Sequence, residues 1–368
     1  MLSIIISCSV IHPDKSSEIK SLKFIGEYDL PYKMQYRNTT VGGLSSIDYD
    51  SKRDLYYLIC DDRSDINPVR FYTAKISVND KGIQDVRFVN VTYLLTPEGK
   101  LYKGRKTDPL HTPDPEALRY NPVKNNIAWS SEGERTITKE QAILVNPSIY
   151  TIDMEGKLLD TFLLPPNLHV QLNEQGPRNN GVFEGIAFAD NYNSLYACVE
   201  EPLFEDGPRA GLGDSSAWTR IIKYNVSTKQ PIAEYAYKLD PVVRAANPPG
   251  AFKLNGISEI MTLNDHQLLI TERSYSVGSP ESNIRLYVGN LEAAQDVKSI
   301  FSLKDVPAVR PIRKKLVLNL DSLHKFIDNI EGVTWGPVLP NGKRSLVLVS
   351  DDNFSAAQKT QFILLEVN

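Results

Sequence analysis

Glu184-Gly185-Ile186, followed a turn later by a strand that ends in Glu200-Glu201, is one of five copies of a single pattern. The copies begin at Gly42-Gly43-Leu44, Glu116-Ala117-Leu118, Glu184-Gly185-Ile186, Asn255-Gly256-Ile257 and Glu331-Gly332-Val333. Their second strands stop at Cys60-Asp61-Asp62-Arg63, Ser131-Glu132, Glu200-Glu201, Thr271-Glu272-Arg273 and Ser350-Asp351-Asp352-Asn353. Turn-forming residues such as Asn121-Pro122, Asn264-Asp265 and Pro340-Asn341-Gly342 separate the two segments. Asn, Asp, Gly and Pro between apolar runs mark hairpins, because each favours the backbone geometry of a tight turn.

Two more strands follow in most copies. They fall at residues 70–76 and 86–94, 148–154 and 158–164, and 220–224 and 232–239. The fourth copy has 284–288 and then a choice between 297–303 and 315–320. The fifth has only 360–367, so it is one strand short. An unassigned strand at 21–30 can complete it, and such closure removes the two sheet edges that would otherwise invite aggregation. The expectation is an all-β fold, a β-propeller of five four-stranded blades, formed by residues 21–368 as one domain. The copies start 68 to 76 residues apart, longer than the roughly 40–50 residues of a simple blade. The surplus falls to loops near 96–115, 201–218 and 241–252, and a six-bladed ring is the alternative. One short helix is expected within 316–330.

In a propeller the first strand of each blade lines the central channel. Its start and the end of the second strand meet on one face because the two form a hairpin. The repeat therefore predicts a ring of carboxylates on one rim, with Gly42 leaving a gap in the first copy. So many acids repel one another unless cations offset them. Arginines (Arg63, Arg119, Arg178, Arg273) or metal ions can do so, and oxygen-only ligands suit Ca²⁺ or Mg²⁺ rather than zinc or copper. Calcium is preferred, since it tolerates irregular coordination. The alternative is that the acids only pair with arginines of neighbouring blades.

The chain has 368 residues, 41% of them hydrophobic, and a net charge of −4. That supports a large core and gives no basic field for nucleic acid. No stretch has the length of a transmembrane span. Ile5-Ile6-Ser7-Cys8 is similar to the end of a lipoprotein signal, although the usual basic start is missing. Residues 1–20 are therefore expected to be a truncated signal and short linker, with a lipid on Cys8 as the only tie to a membrane. Cys60 and Cys198 lie in apolar strands of different copies and read as buried free thiols. No Gly-x-Ser-x-Gly, P-loop or dinucleotide fingerprint is present. The five histidines are dispersed outside the repeat.

Several of these segments resemble one family. Gly42-Gly43-Leu44-Ser45, Asp61-Asp62-Arg63, Pro115-Glu116-Ala117-Leu118-Arg119 and Ser130-Ser131-Glu132-Gly133 resemble the bacterial "esterase-like activity of phytase" (phytase-like) proteins. So do Arg178-Asn179-Asn180, Phe183-Glu184-Gly185, Asn255-Gly256-Ile257-Ser258-Glu259, Asn329-Ile330-Glu331-Gly332 and Ser350-Asp351-Asp352-Asn353-Phe354. The resemblance runs from about Lys23 to the C-terminus. It implies phosphoester hydrolysis, by analogy with calcium-dependent propeller phytases, with the acids as active site and the protein exported to the periplasm or anchored at the outer membrane.

Two functions follow. One is a calcium-dependent phosphoester hydrolase acting on a small phosphorylated substrate, expected to be a monomer. Its candidate catalytic groups are Glu116, Glu184, Glu331 and Asp61. Its candidate metal ligands are Glu132, Glu200, Glu259, Glu272, Asp351 and Asp352, and its candidate substrate contacts are Arg178, Arg119, Arg273 and Asn255. The other is a non-catalytic, calcium-stabilised propeller that binds a partner or surface ligand.

Overall fold

A computed structural model describes residues 19–213, 216–306 and 308–368. Cys8 and the proposed signal lie outside the described residues. Five four-stranded antiparallel sheets form the expected propeller. Blade one is Leu44–Asp50, Leu55–Cys60, Arg70–Asn79 and Gly82–Tyr93, and blade two is Pro115–Asn121, Asn126–Ser131, Ser148–Ile152 and Leu158–Thr161. Blade three is Phe183–Ala189, Ser194–Val199, Trp218–Asn225 and Pro231–Lys238. Blade four is Lys253–Asn264, Gln267–Ser276, Asn283–Asn290 and Arg313–Asn319. Blade five is Asn329–Trp335, Ser345–Asp351, Gln361–Val367 and, outermost, the N-terminal strand Leu22–Asp29.

That last strand runs antiparallel to Gln361–Val367, from Leu22 opposite Val367 to Asp29 opposite Gln361. The closure expected from strand counting is therefore present, and the ring has five blades rather than six. In blade four the outer strand is Arg313–Asn319, and Val297 and Leu303 instead pack in a loop against Ala236. The short helix expected after residue 316 is only a 3-10 turn, Leu320–Leu323, capped by the Asn319 side chain accepting from Asp321 N.

The core is made of layers between successive blades. Second strands are buried at nearly every position because both faces are covered. In Leu55–Cys60, Tyr56, Leu58 and Cys60 pack towards blade five, while Tyr57 and Ile59 pack towards blade two. This is the two-residue alternation of a strand buried on both sides. Cys60 and Cys198 are buried and free.

Each inner strand also carries a register slip near its start. The slips fall between Leu44 and Ser46, Pro115 and Leu118, Phe183 and Gly185, Ile257 and Glu259, and Ile330 and Gly332. A β-bulge of this kind leaves an extra residue unpaired and re-aims its side chain. The residues so placed are Ser45, Glu116, Glu184, Ser258 and Glu331. This corrects the sequence alignment by three residues in two blades. Blade one contributes Ser45 rather than Gly42, and blade four contributes Ser258 rather than Asn255.

The glycine after the bulge has a packing reason. A Cβ on Gly185 would sit 2.7 Å from Ile260 N of blade four, and one on Gly332 would sit 3.0 Å from Ile47 N of blade one. Bare backbone lets adjacent inner strands approach. The glycines of copies one and four serve other purposes. Gly43 has φ +59°, and a Cβ on Gly256 would strike Glu200 Cγ at 2.5 Å.

Candidate functional site: a carboxylate ring on one rim

The bulges and the second-strand ends meet on one rim. The pairing registers make Asp61, Glu132, Glu200, Arg273 and Asp351 equivalent in the five blades. Four are acids and the fourth blade supplies an arginine. With Glu116, Glu184 and Glu331 from the bulges, seven carboxylates face one guanidinium. Asp114, just ahead of blade two, adds another acid.

Five of the acids fall into two overlapping groups that begin an arc around the rim. Carboxylate oxygens of Asp61, Asp114 and Glu116 lie within 4.8 Å of one another, as do those of Glu116, Glu132 and Glu184. Glu116 belongs to both groups. Glu200 and Glu331 flank Arg273, whose Nη2 donates to Glu200 Oε1 at 2.7 Å and whose Nη1 lies 3.5 Å from Glu331 Oε1. Asn329 accepts from Arg273 at 2.7 Å and donates to Glu331 at 2.8 Å, which fixes both. Asp351 closes the arc beside Glu331 and accepts from Asn353 N at 2.7 Å.

Burial and mutual repulsion push these groups up. Glu116, Glu132, Glu184, Asp61 and Asp351 are held well above the usual carboxylate range, first by loss of solvent and then by one another. Glu200 is pushed up to about 8 by burial, with Arg273 opposing. Outside the arc, Glu134 is surrounded by Arg105, Thr136 and Arg63, which outweigh its desolvation and lower it to about 2. Arg63 also lies 3.4 Å from Asp114.

A metal ion fits this set. The ligands are all hard carboxylate oxygens, the kind that Ca²⁺ and Mg²⁺ take. Glu132 Oε2 and Glu200 Oε2 are buried with no hydrogen-bond partner, an arrangement that costs free energy unless something accepts those lone pairs.

Several candidates fall elsewhere. Arg119 stands inside the channel rather than on the rim. It donates to the carbonyls of Ile47, Leu118, Ile260 and Val333, which belong to four different blades, and pairs with Glu259 at 2.6 Å. Glu259 occupies the position of Gly185, one residue further down the channel, so the pair plugs it. Burial pushes Glu259 up to about 7 against the pull of Arg119. Both are committed to closing the ring and neither reaches the rim.

Glu272 precedes the rim position held by Arg273 and therefore points to the opposite strand face. There it meets Tyr237 Oη at 2.7 Å, Asn255 Nδ2 at 2.6 Å and Lys314 Nζ. Asn255 is thus a partner of Glu272 inside the blade. Asp352 likewise follows its rim residue and turns away, accepting from Gly43 N and Phe354 N. Arg178 does not pair with Glu184. It donates to the carbonyls of Pro202 and Gly207 and lies 4.2 Å over the Phe204 ring.

Beside the ring, over blades three to five, opens a cavity of about 830 Å³. Glu200 and Arg273 belong to both cavity and ring. The triads around Glu116 do not line it, so the chemistry sits at the cavity's edge. Sequence reading missed Asp114 and Asp328. Both stand immediately before a repeat, outside the register that made the other acids visible.

Fold and rim together define a β-propeller with an acidic channel mouth. The chain belongs to the phytase-like family, described as "Esterase-like activity of phytase", whose sequence pattern matches residues 39–354. No curated protein matches the chain. Among solved structures it is similar to an endo-arabinase from Bacteroides thetaiotaomicron, with 11% identity, 88% of this chain and 93% of that one covered, and a TM-score of 0.43. It is also similar to a periplasmic gluconolactonase from Pseudomonas aeruginosa, with 9% identity, coverage of 90% and 88%, and a TM-score of 0.38. Likeness at this level says nothing about shared chemistry.

The ring has a consequence for stability. Acids whose folded pKa is raised stabilise fully below their unfolded values of about 4 to 4.5, and that stability is lost as pH rises through the folded values. Glu259 and Glu200, at about 7 and about 8, place the loss between pH 5 and 8. Arg119 and Arg273, which face them, oppose it in part. Glu134, lowered to about 2, acts in the reverse direction and only below pH 4.5. Chelated protein should therefore melt highest near pH 5 and progressively lower towards pH 8. A melting temperature that is flat or rising over this range would show that the acids are already neutralised by the protein.

Proposed function

We propose that this protein is a metal-dependent phosphoester hydrolase with Ca²⁺ as its metal. The observation that carries the reading is the convergence of eight carboxylates on two guanidiniums, Arg273 and, beside Asp114, Arg63, with two of the acids keeping buried, unpartnered oxygens. Membership of the phytase-like family supports it. Asp61, Asp114, Glu116, Glu132 and Glu184 would hold the metal, and Glu200 and Asp351 extend the set. Bound calcium would supply charge to offset the phosphate oxygens and to make a water more acidic.

The chain's own groups do the rest. Arg273 is held by Glu200, Asn329 and Glu331 at the junction of ring and cavity, where a guanidinium can take two phosphate oxygens. Glu184, between Glu132, Glu200 and Glu331, takes a proton from the attacking water. The water oxygen forms a bond to phosphorus while the bond from phosphorus to the ester oxygen breaks. The departing alkoxide receives a proton from a neighbouring protonated carboxyl such as Glu331. We further propose that the protein is exported, is tied to a membrane only by a lipid on Cys8, and acts as a monomer.

Calcium titration calorimetry on metal-stripped protein tests this reading, with a panel of phosphomonoesters and phosphodiesters run on the same sample. Binding with calcium-dependent turnover is expected. Binding without turnover of any ester would favour a non-catalytic, calcium-stabilised propeller, and absence of binding would remove the metal.

A further inference from the structure

The cavity beside the ring has the wrong charge for a heavily phosphorylated ligand. Its wall carries four carboxylates, Glu200, Glu201, Glu281 and Asp328, against two arginines. Each arginine is shared with a carboxylate, Arg273 with Glu200 at 2.7 Å and Arg209 with Glu201, so the wall offers cationic charge for one phosphate at Arg273 but not for several. A polyanion entering here would meet net negative charge in a partly desolvated space, where like charges repel most.

The same wall carries aromatic surface. Phe252 and Tyr275 are 48% and 36% exposed, with ring centroids 6.4 Å apart, and Phe326 also lines the space. Large apolar side chains left uncovered in a concave site are what a ligand's flat or apolar part covers. One face of Phe252 is taken by the Arg209 guanidinium at 5.6 Å. Tyr275 is the platform on the strand that carries Arg273.

Strand geometry fixes the relation of this platform to the ring. Arg273 and Tyr275 are alternate residues of Gln267–Ser276, so they share a face. Glu272 and Ser274 point the other way, to Tyr237 and to Val243 N. Two residues along a strand span about 7 Å. An anionic group at Arg273 and a ring on Tyr275 are therefore a few bonds apart.

We infer that the cavity takes a phosphoester with one phosphate and a single flat ring on its alcohol part, a nucleoside or aryl phosphate, rather than a polyphosphorylated polyol. The inference rests on the phosphoester reading for its phosphate end, with Tyr275 and Phe252 as the specificity-determining residues. A cavity of about 830 Å³ is in the range that encloses a ligand of that size.

The test separates binding from turnover. Calcium-loaded protein is titrated with adenosine 5′-monophosphate, phenyl phosphate, glycerol 3-phosphate and inositol hexakisphosphate, with calcium in excess throughout, and hydrolysis is followed separately. The ring-bearing esters should bind about tenfold or more tighter than glycerol 3-phosphate, the order expected from one stacking contact. Inositol hexakisphosphate should bind weakest. In Tyr275→Ala and Phe252→Ala, both at exposed positions that the fold does not need, the ratio of ring-bearing to ringless affinity should collapse towards one. A nucleoside ligand is separated from an aryl one by whether adenosine monophosphate or phenyl phosphate binds tighter. Equal affinities across the panel, tightest binding of inositol hexakisphosphate, no binding at all, or an unchanged ratio in both variants would each overturn the inference. The expected preference without hydrolysis of any ester would uphold the ligand class and remove the hydrolase reading alone.

Discussion

Glu184→Gln should leave a folded propeller that no longer turns over phosphoesters. The side chain is buried at a β-bulge, within 4.8 Å of the carboxylate oxygens of Glu116 and Glu132. Gln has the same shape and cannot accept a proton from water. Loss of a positioned base costs roughly 10²- to 10⁴-fold in kcat, and calcium affinity should fall at least about tenfold with one ligand charge removed. The fold responds in the opposite sense. Glu184 is pushed up by burial and by Glu200, Glu132 and Glu331, so removing its charge relieves the ring. Chelated Glu184→Gln protein should melt above chelated wild type at pH 8 and close to it at pH 5. Steady-state rates, calorimetry and melting curves on one preparation check all three. Wild-type turnover in this variant would take Glu184 out of the site.

That ring was legible because the acids recur in a repeat. A strand that ends in a carboxylate five times over is hard to explain by chance packing, and Asp61, Glu132, Glu200 and Asp351 do fall at equivalent rim positions. What the sequence hid was phase. Glycine anchored the alignment, yet glycine answers to backbone approach at Gly185 and to a left-handed φ at Gly43. In blades one and four this shifted the start by three residues. The same shift concealed that Arg273, not Glu272, holds the rim position of blade four. One step along a strand reverses the face, so Glu272 and Asp352 became blade-interior groups. Arg119 was unreadable for another reason. Its role requires carbonyls from four blades separated by as many as 214 residues, and no local pattern reports such a convergence.

The ring of acids also needs the ring of blades, and the clasp is the N-terminal strand. A chain beginning at Pro31 loses Leu22–Asp29, which pairs along the whole of Gln361–Val367. It also loses Ile19, Leu22 and Leu30, three aliphatic side chains no more than 7% exposed. At about 1.5–3 kcal/mol for each buried aliphatic side chain, the loss is on the order of 5 kcal/mol or more, comparable with the whole stability of many domains. The truncated chain would also present Gln361–Val367 as a bare edge in which every residue is otherwise buried, a template for pairing with another chain. The expected result is a melting temperature lowered by about 10 °C or more, or recovery only as aggregate, together with weakened calcium binding, because Asp351 belongs to the same blade. A peptide spanning residues 19–30, supplied in trans, should restore part of the stability and of the calcium affinity, since it replaces the missing strand without altering the ring. Undiminished stability in the truncated chain would mean that the closure seen between Leu22–Asp29 and Gln361–Val367 contributes little. The blades would then have to be held together from inside, by the Arg119 and Glu259 plug and the packed inner strands.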